Sequence, residues 1–126
     1  DLLIKGDAFI LKLVIIGNIL SNSIKFSRSG SDIFIGFYSE GEYVFIEIQD
    51  SGLGIDAPNV EKLNLGYSLS SSPGTHGEVG TGFGLALAKR FCDRMNGQIF
   101  LTTITEKDNK GFTGSLFRLR FPRYQN

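Results

Sequence analysis

Two long helical patterns, each followed by a pair of strands joined by a short turn, constrain the fold of this 126-residue chain more than any other feature. The full order is strand, helix, two strands, loop, helix, two strands. Strands joined by a short turn pair antiparallel. Each helix has a single apolar stripe that must be buried, so both helices belong on the same face of the sheet. The pattern predicts a two-layer α/β sandwich, in which a mostly antiparallel mixed sheet carries about three helices on one face.

Periodicity and turn residues predict where each element lies. We expect strands at 2–5, 33–37, 44–48, 98–105 and 112–121, and helices at 8–26, 58–63 and 81–95. Asp7 is predicted to cap the first helix, and Asn96 with Gly97 to end the last one. The first helix is expected to bury the stripe Leu13, Ile16, Leu20 and Ile24. The last helix is expected to bury Leu85, Ala88, Cys92 and Met95.

Composition and charge exclude several classes of protein. Thirteen basic and thirteen acidic residues cancel, which argues against a nucleic-acid-binding module with a basic face. The single cysteine excludes an internal disulfide and favours a reducing compartment. No apolar run reaches the ~20 residues that cross a bilayer, and no signal peptide is visible. We therefore expect one cytosolic domain over residues 1–126, either of a cytosolic protein or of the cytosolic part of a membrane-bound one.

Three groups of residues indicate chemistry. Asn18, Asn22 and Lys25 follow one another at i, i+4 and i+7, so they project from one side of the first helix. An ordinary solvated helix face would also explain these three residues. Asparagine is disfavoured in the middle of a helix, however, and two asparagines one turn apart need a reason. We expect the apolar stripe to lie roughly opposite these residues.

The other two groups are rich in glycine. Residues 50–55, Asp-Ser-Gly-Leu-Gly-Ile, follow a strand, and Gly52 and Gly54 permit close approach of a ligand. Residues 80–89 begin with three glycines at alternate positions before a helix, where backbone N–H groups bind phosphate. They match neither a Walker P-loop nor a dinucleotide-binding fingerprint. A common sheet-edge turn and a flexible hinge before a core helix remain the simpler alternatives for the two loops.

Taken in order, the three groups resemble the boxes of sensor histidine kinases. Residues 18–27 are similar to their N box, residues 50–55 to their first glycine box, and residues 80–89 to their second. Residues 71–80 resemble a lid of that family, and residues 96–99 and 114–117 resemble its closing strands. The resemblance covers essentially the whole chain and implies the Bergerat ATP-binding fold. That superfamily also includes type II topoisomerase, heat-shock chaperone and mismatch-repair ATPases.

The resemblance implies a site for ATP and Mg²⁺ and a role for each matching residue. Asn22 would coordinate Mg²⁺, an ion that suits an amide oxygen. Asn18 and Lys25 would lie near the phosphates as the catalytic pair. Asp50 would accept a hydrogen bond from the adenine amino group. The remaining implied ATP-binding residues are Gly52, Gly54, Ile55, Gly80, Thr81, Gly82, Gly84 and Leu85. The implied activity is transfer of the γ-phosphoryl group to a histidine on another domain.

Two departures from the family pattern bear on this activity. Asn18 stands where hydrolysing relatives have a glutamate, and an amide cannot take a proton from water, so ATP hydrolysis should be slow. Residues 63–67 fit the phenylalanine-rich box poorly, and the expected lid at 66–80 has no Lys or Arg. His76, the only histidine, falls in that lid and is expected to be a solvated lid residue. The acceptor histidine should therefore lie outside this chain.

The resemblance also implies partners. They are the dimerisation and phospho-acceptor domain of a homodimeric parent kinase and the receiver domain of a response regulator, with no nucleic acid. Two alternatives stay open from the sequence. One is a Ser/Thr kinase of the anti-sigma type on the same fold. The other is a degenerate nucleotide-binding scaffold, which the neutral lid and the unusual segment at 63–67 would suit.

Overall fold

The computed structural model describes residues 2–64, 83–108 and 110–125. In these ranges four strands form one sheet in the order β1-β2-β4-β3, and all three pairings are antiparallel. The elements, in chain order, are a π-helical segment Ile10–Ile16, α1 Gly17–Phe26, β1 Phe34–Glu40, β2 Tyr43–Asp50, α2 Ala57–Asn64, α3 Phe83–Arg94, β3 Gln98–Ile104, a 3-10 turn Glu106–Asp108 and β4 Gly114–Pro122. Helices α1 and α3 contact each other and the sheet. The predicted two-layer sandwich is confirmed.

The first predicted strand is reduced to a single contact. Residues 2–5 form one antiparallel bridge, between Ile4 and Arg123, and the backbone N–H of Tyr124 donates to the carbonyl of Leu3 at 2.6 Å. Gly6 and Asp7 follow at once and turn the chain into the helix, so the pairing does not extend. The prediction of a full strand there was wrong.

The helix that leads into the site begins as predicted but buries a different stripe. Asp7 caps it, since its Oδ1 accepts hydrogen bonds from the N–H groups of Phe9 and Ile10 at 2.8 and 3.2 Å. Two members of the predicted stripe are exposed: Leu13 at 53% and Ile24 at 60%. Ile16 and Leu20 are only partly buried. The fully buried positions are instead Ile15, Ile19 and Ser23.

The π-helical segment explains this error. Its hydrogen bonds span five residues, as in the bond from Gly17 N–H to the carbonyl of Lys12, so each turn takes more residues than an α-helical turn. A stripe drawn at 3.6 residues per turn therefore drifts off the core face. Because nine of the twelve residues from 9 to 20 are apolar, several stripes are compatible with the sequence pattern, which alone cannot correct the phase.

The last helix agrees with its prediction over the residues described. Leu85, Ala88 and Cys92 are buried, and Met95 packs against the same core. Asn96 ends the helix in the left-handed conformation, with φ of 59°. The N–H of Gly97 then donates to the carbonyl of Cys92 at 2.9 Å.

The sheet register determines which polar residues meet at the site. On β2 every second side chain points toward the helices, which buries Val44, Ile46, Ile48 and finally Asp50. Asp50 is paired with Ser115, the first buried residue of β4. The inward face of the sheet is thus apolar along most of its length and becomes polar at this end.

Candidate nucleotide-binding site

Asp50 is buried at the carboxyl end of β2, with only 6% of its surface exposed. Its Oδ1 accepts a hydrogen bond from the backbone N–H of Gly52 at 2.9 Å, so the carboxylate orders the loop that follows it. A buried carboxylate with one local donor is costly unless other groups complete its hydrogen bonding. The position suits a group that accepts a hydrogen bond from a ligand.

The loop at 50–55 is held from the other side by β3 and β4. The N–H of Ile55 donates to Oγ1 of Thr103 at 2.7 Å, and the hydroxyl of Thr113 donates to the carbonyl of Gly52. Oγ1 of Thr103 also lies 3.3 Å from the hydroxyl oxygen of Ser115, which faces Asp50 across the strand pair. These contacts fix the loop in a single position relative to the carboxylate.

Both glycines of this loop are required by close backbone approach. A methyl group on Gly52 would lie 2.5 Å from the carbonyl oxygen of Phe26, at the end of α1. Gly54 has a φ of +77°, and a methyl group there would collide with the carbonyl of Ile104. The first glycine box therefore joins the end of α1 to the end of β3, whatever ligand it binds.

The polar face of α1 lies beside the core and not opposite to it, because the buried stripe is Ile15, Ile19 and Ser23. Asn18 is half-buried and donates from Nδ2 to the carbonyl of Val14 at 2.6 Å. Asn22 and Lys25 are half-buried on the same side of the helix, and the ammonium of Lys25 lies 4.8 Å from the ring centre of Phe26. The three residues thus lie along one side of α1, whose carboxyl end meets the loop at 50–55.

Helix α3 supplies the second glycine-rich group only in part. Gly84 faces α1, and a methyl group on it would lie 2.9 Å from Oδ1 of Asn18. Leu85 is buried in the core, so its side chain is committed to packing. Three predicted residues, Gly80, Thr81 and Gly82, lie outside the described residues, as do His76 and the predicted lid at 66–80.

A cavity of about 590 Å³ opens beside the loop, between α2 and the end of β3. The cavity is lined by Ile55 of the loop, by Thr103, which binds the loop, and by Lys107. Neither Asp50 nor any residue of α1 lines the cavity. It therefore does not coincide with the predicted ATP site, which needs both.

The sequence interpretation did not assign the side chains that brace the loop. Thr103 and Thr113 bind the loop, and the hydroxyl of Ser115 lies beside that of Thr103. Only the pattern around Ser115 was noticed in the sequence, as part of a closing strand. A detectable signal was present. Thr103 and Ser115 interrupt the apolar inward positions of β3 and β4 at the end where Asp50 interrupts β2, and aligned interruptions on neighbouring strands indicate a shared polar site.

Comparison with known proteins identifies the family of the chain. The model of the family described as "Histidine kinase-, DNA gyrase B-, and HSP90-like ATPase" matches residues 9–125. The aerobic respiration control sensor protein ArcB of Escherichia coli is 35% identical over 103 residues, which cover 81% of this chain and 13% of that protein. The sensor histidine kinase RcsC of the same organism is 33% identical over 121 residues, 96% of this chain and 12% of RcsC. The chain thus spans about an eighth of these relatives.

Solved structures agree on the fold. A mycobacterial sensor histidine kinase, MprB, superimposes with a TM-score of 0.74 at 21% identity, over 98% of this chain and 76% of that one. The catalytic domain of histidine kinase ThkA gives 0.74 at 22% identity, over 98% and 74%. No described helix is both long and apolar enough to cross a membrane. The chain belongs to the histidine kinase-, DNA gyrase B- and HSP90-like ATPase family, as an ATP-binding domain of the sensor histidine kinase type.

Proposed function

We propose that this domain binds Mg·ATP and donates the γ-phosphoryl group to a histidine on a separate domain of its parent sensor kinase. Membership of the family supports an ATP-dependent phosphotransfer role in two-component signalling. The observation that carries the finer proposal is the buried carboxylate of Asp50, braced between the end of α1 and the β3–β4 pair.

Base recognition falls to Asp50 in this proposal. Its carboxylate accepts a hydrogen bond from the 6-amino group of adenine, whereas guanine presents a carbonyl oxygen at that edge and would be repelled. Gly52 and Gly54 let the loop pack closely against the carbonyls of Phe26 and Ile104, which holds the backbone beside the carboxylate in place for the base. Ile55, partly buried against the core, offers apolar contact to the ring. The bracing by Thr103 holds these parts in place before the nucleotide arrives.

Phosphate and metal binding fall to the polar face of α1 and to the start of α3. Mg²⁺ would be held by the side-chain oxygen of Asn22 together with phosphate oxygens and water, and when bound it neutralises phosphate charge. The donor chemistry fits this use, because Asn22 offers an amide oxygen from a half-buried position on α1 and Mg²⁺ prefers oxygen ligands. Lys25 adds a cation on the same side. Gly80, Thr81, Gly82 and Gly84 would provide backbone N–H groups at the phosphates.

Asn18 favours phosphoryl transfer over ATP hydrolysis in this proposal. Its amide cannot accept a proton from water, and its Nδ2 is already bonded to Val14, so nothing at this position activates a hydrolytic water. The domain then works by positioning and charge neutralisation, which is sufficient for phosphoryl transfer. The bound nucleotide is preserved until an acceptor histidine approaches in line.

The partners follow from this chemistry. The acceptor would be a histidine of the dimerisation and phospho-acceptor domain in a homodimeric parent, and the phosphoryl group would pass on to a receiver domain of a response regulator. Relatives named as sensor kinases, most of whose length lies beyond the match, support this arrangement. We place the domain on the cytosolic side, where ATP is available.

Two labelling reactions with γ-labelled ATP test the proposal. The 126-residue chain alone should stay unlabelled. On addition of the parent's phospho-acceptor domain, acid-labile label should form on that domain's histidine. Acid-labile label on His76 of the isolated chain would contradict the proposal. Acid-stable label on a serine or threonine of an added partner would instead favour the anti-sigma-type alternative.

A titration separates the metal site from the base site. Asn22→Ala should abolish the part of the ATP affinity that depends on Mg²⁺ and leave adenosine binding in place, because the proposed base contact is made by Asp50 and not by Asn22. Ser21→Ala, an exposed change on the same helix, is the control and should behave as wild type. A chain that binds adenine nucleotides equally with and without Mg²⁺ would support the alternative of a degenerate nucleotide-binding scaffold.

A further inference from the structure

The buried hydroxyl of Ser23 makes no hydrogen bond with any residue that the structure describes. Ser23 is fully buried, at 0% exposure, and its Oγ is the one buried side-chain oxygen or nitrogen among the described residues without a hydrogen-bond partner. The carbonyl oxygen of Ser23, in contrast, accepts two hydrogen bonds, from the N–H of Ser27 at 3.0 Å and from the hydroxyl of Ser27 at 2.6 Å. A buried polar atom without a partner destabilises a protein, so a retained one calls for an explanation.

Ser23 lies at the same end of the core as Asp50. It follows Ile15 and Ile19 along the inward stripe of α1, at the last turn before the helix ends at Phe26. That end of α1 meets the glycine loop, because the carbonyl of Phe26 lies beside Gly52. The inward stripe of α1 and the inward residues of β2 therefore both finish here, one in Ser23 and the other in Asp50.

The distribution of buried polar residues supports a shared site. Four polar residues are buried in the part of the chain that the structure describes: Ser23, Ser27, Asp50 and Ser115. All four lie at this end, around the loop at 50–55, while the rest of the core is apolar. Ser27, Asp50 and Ser115 have partners within the protein. Ser23 alone is left for a ligand.

We propose that the Ser23 hydroxyl is a base-contacting group of the nucleotide site, which hydrogen-bonds a ring nitrogen of adenine beside the contact to Asp50. This inference rests on the proposed function and extends it. The two groups divide the recognition: the carboxylate of Asp50 accepts from the exocyclic amine, and the hydroxyl of Ser23 donates to the ring. A base that lacks either group is discriminated against, because one buried protein atom is then left unpaired.

Ser23→Ala tests the inference through two effects of opposite sign. The melting temperature without nucleotide should rise, because an unpaired buried hydroxyl is removed and alanine favours a helix. Affinity for ATP, ADP and adenosine should fall by about 3- to 10-fold, the size of one neutral hydrogen bond. The affinity should fall by the same factor for all three ligands, because the adenosine nucleoside is the part that all three have in common. Ser21→Ala, exposed and two residues away, should change neither quantity.

The outcomes separate this inference from the function on which it rests. If wild type binds no adenine nucleotide, the proposed function fails. If wild type binds and Ser23→Ala binds adenosine equally well, only the role of Ser23 is refuted, whatever its melting temperature. A loss confined to ATP and ADP would place the hydroxyl at the phosphates and overturn its assignment to the base.

Discussion

Gly84 at the start of α3 lies against the side chain of Asn18 on α1, so closely that a methyl group at residue 84 would come within 2.9 Å of Oδ1. This contact joins the N box to the second glycine box within the fold itself. Asn18 cannot move away freely, because its Nδ2 is bonded to the carbonyl of Val14 at 2.6 Å. The spacing between the two helices is therefore set by the absence of a side chain at residue 84.

Gly84→Ala should destabilise the domain despite the higher helix propensity of alanine. Propensity favours the change by up to ~1 kcal/mol, and overpacking costs ~1–3 kcal/mol, so a net loss of about 1 kcal/mol is expected. Urea unfolding measures it. The double variant with Asn18→Ala should recover most of the loss, since the clashing atoms are gone. Gly36→Ala, where nothing lies within 4 Å, is the control. Additive effects in the double variant would contradict the contact.

A second prediction concerns the buried stripe of the first helix, which begins at Ile15 in the π-helical segment before α1. Ile15→Ala should lower the free energy of unfolding by ~2–5 kcal/mol, because a fully buried isoleucine leaves a cavity. Leu13→Ala, at a residue that is half exposed, should cost well under ~1 kcal/mol. Denaturant midpoints of the two variants decide the point. The reverse order would restore the stripe predicted from sequence.

Thr103 should contribute to stability and to ATP binding through its hydroxyl group alone. Thr103→Val keeps the shape but removes the acceptor of the Ile55 N–H, which should cost ~1–3 kcal/mol and weaken ATP binding as the loop loosens. Thr102→Val, exposed on the adjacent position of β3, provides the matched control. Calorimetric unfolding and ATP titration of both variants supply the comparison. Equal behaviour of the two would show that the loop is not braced by this hydrogen bond.

Cys92 should make stability fall at alkaline pH. Burial raises the pKa of its thiol to about 12 from 9.0, so the folded state retains the proton after the unfolded chain has lost it. The stabilisation is complete below pH 9 and is lost progressively as pH rises from 9 toward 12. Between pH 8.5 and 10 wild type should lose ~1 kcal/mol more than Cys92→Ala. Parallel pH profiles for the two proteins would contradict this.

Sequence patterns predicted those parts of the fold where local signals were unambiguous. The hairpin turn at Gly41, the cap at Asp7, and the helix end at Asn96 each depend on one residue with a distinctive conformation. The inward phase of α1 could not be predicted, because the π-helical segment Ile10–Ile16 before it shifts the phase, and the polar Asn18 lies beside the core and not opposite to it. That phase depends on tertiary packing.

The candidate site shows the same division. Asn18 and Asn22 were singled out because asparagine is unusual in the middle of a helix, and the role of Asp50 was implied by the resemblance of residues 50–55 to a glycine box. The structure brings the end of α1 to the loop of Asp50. Thr103 and Ser23 were not predicted, because serine and threonine are common in strands and helices. For Thr103 the sequence does carry a signal, since it interrupts the apolar positions of β3 at the same end as Asp50 and Ser115. Ser23 is distinguished only by burial without a hydrogen-bond partner among the described residues, which a sequence does not display.

The most direct test of the central claim is calorimetric titration of wild type and Asp50→Asn with ATP and GTP in the presence of Mg²⁺. The asparagine keeps an oxygen for the Gly52 N–H, so the loop should persist, and far-UV circular dichroism confirms folding. ATP affinity should fall about 10- to 100-fold, the loss of one charged hydrogen bond of ~1.5–3 kcal/mol, and the preference for ATP over GTP should shrink. Unchanged ATP affinity in the folded variant would mean that the adenine does not bind at Asp50.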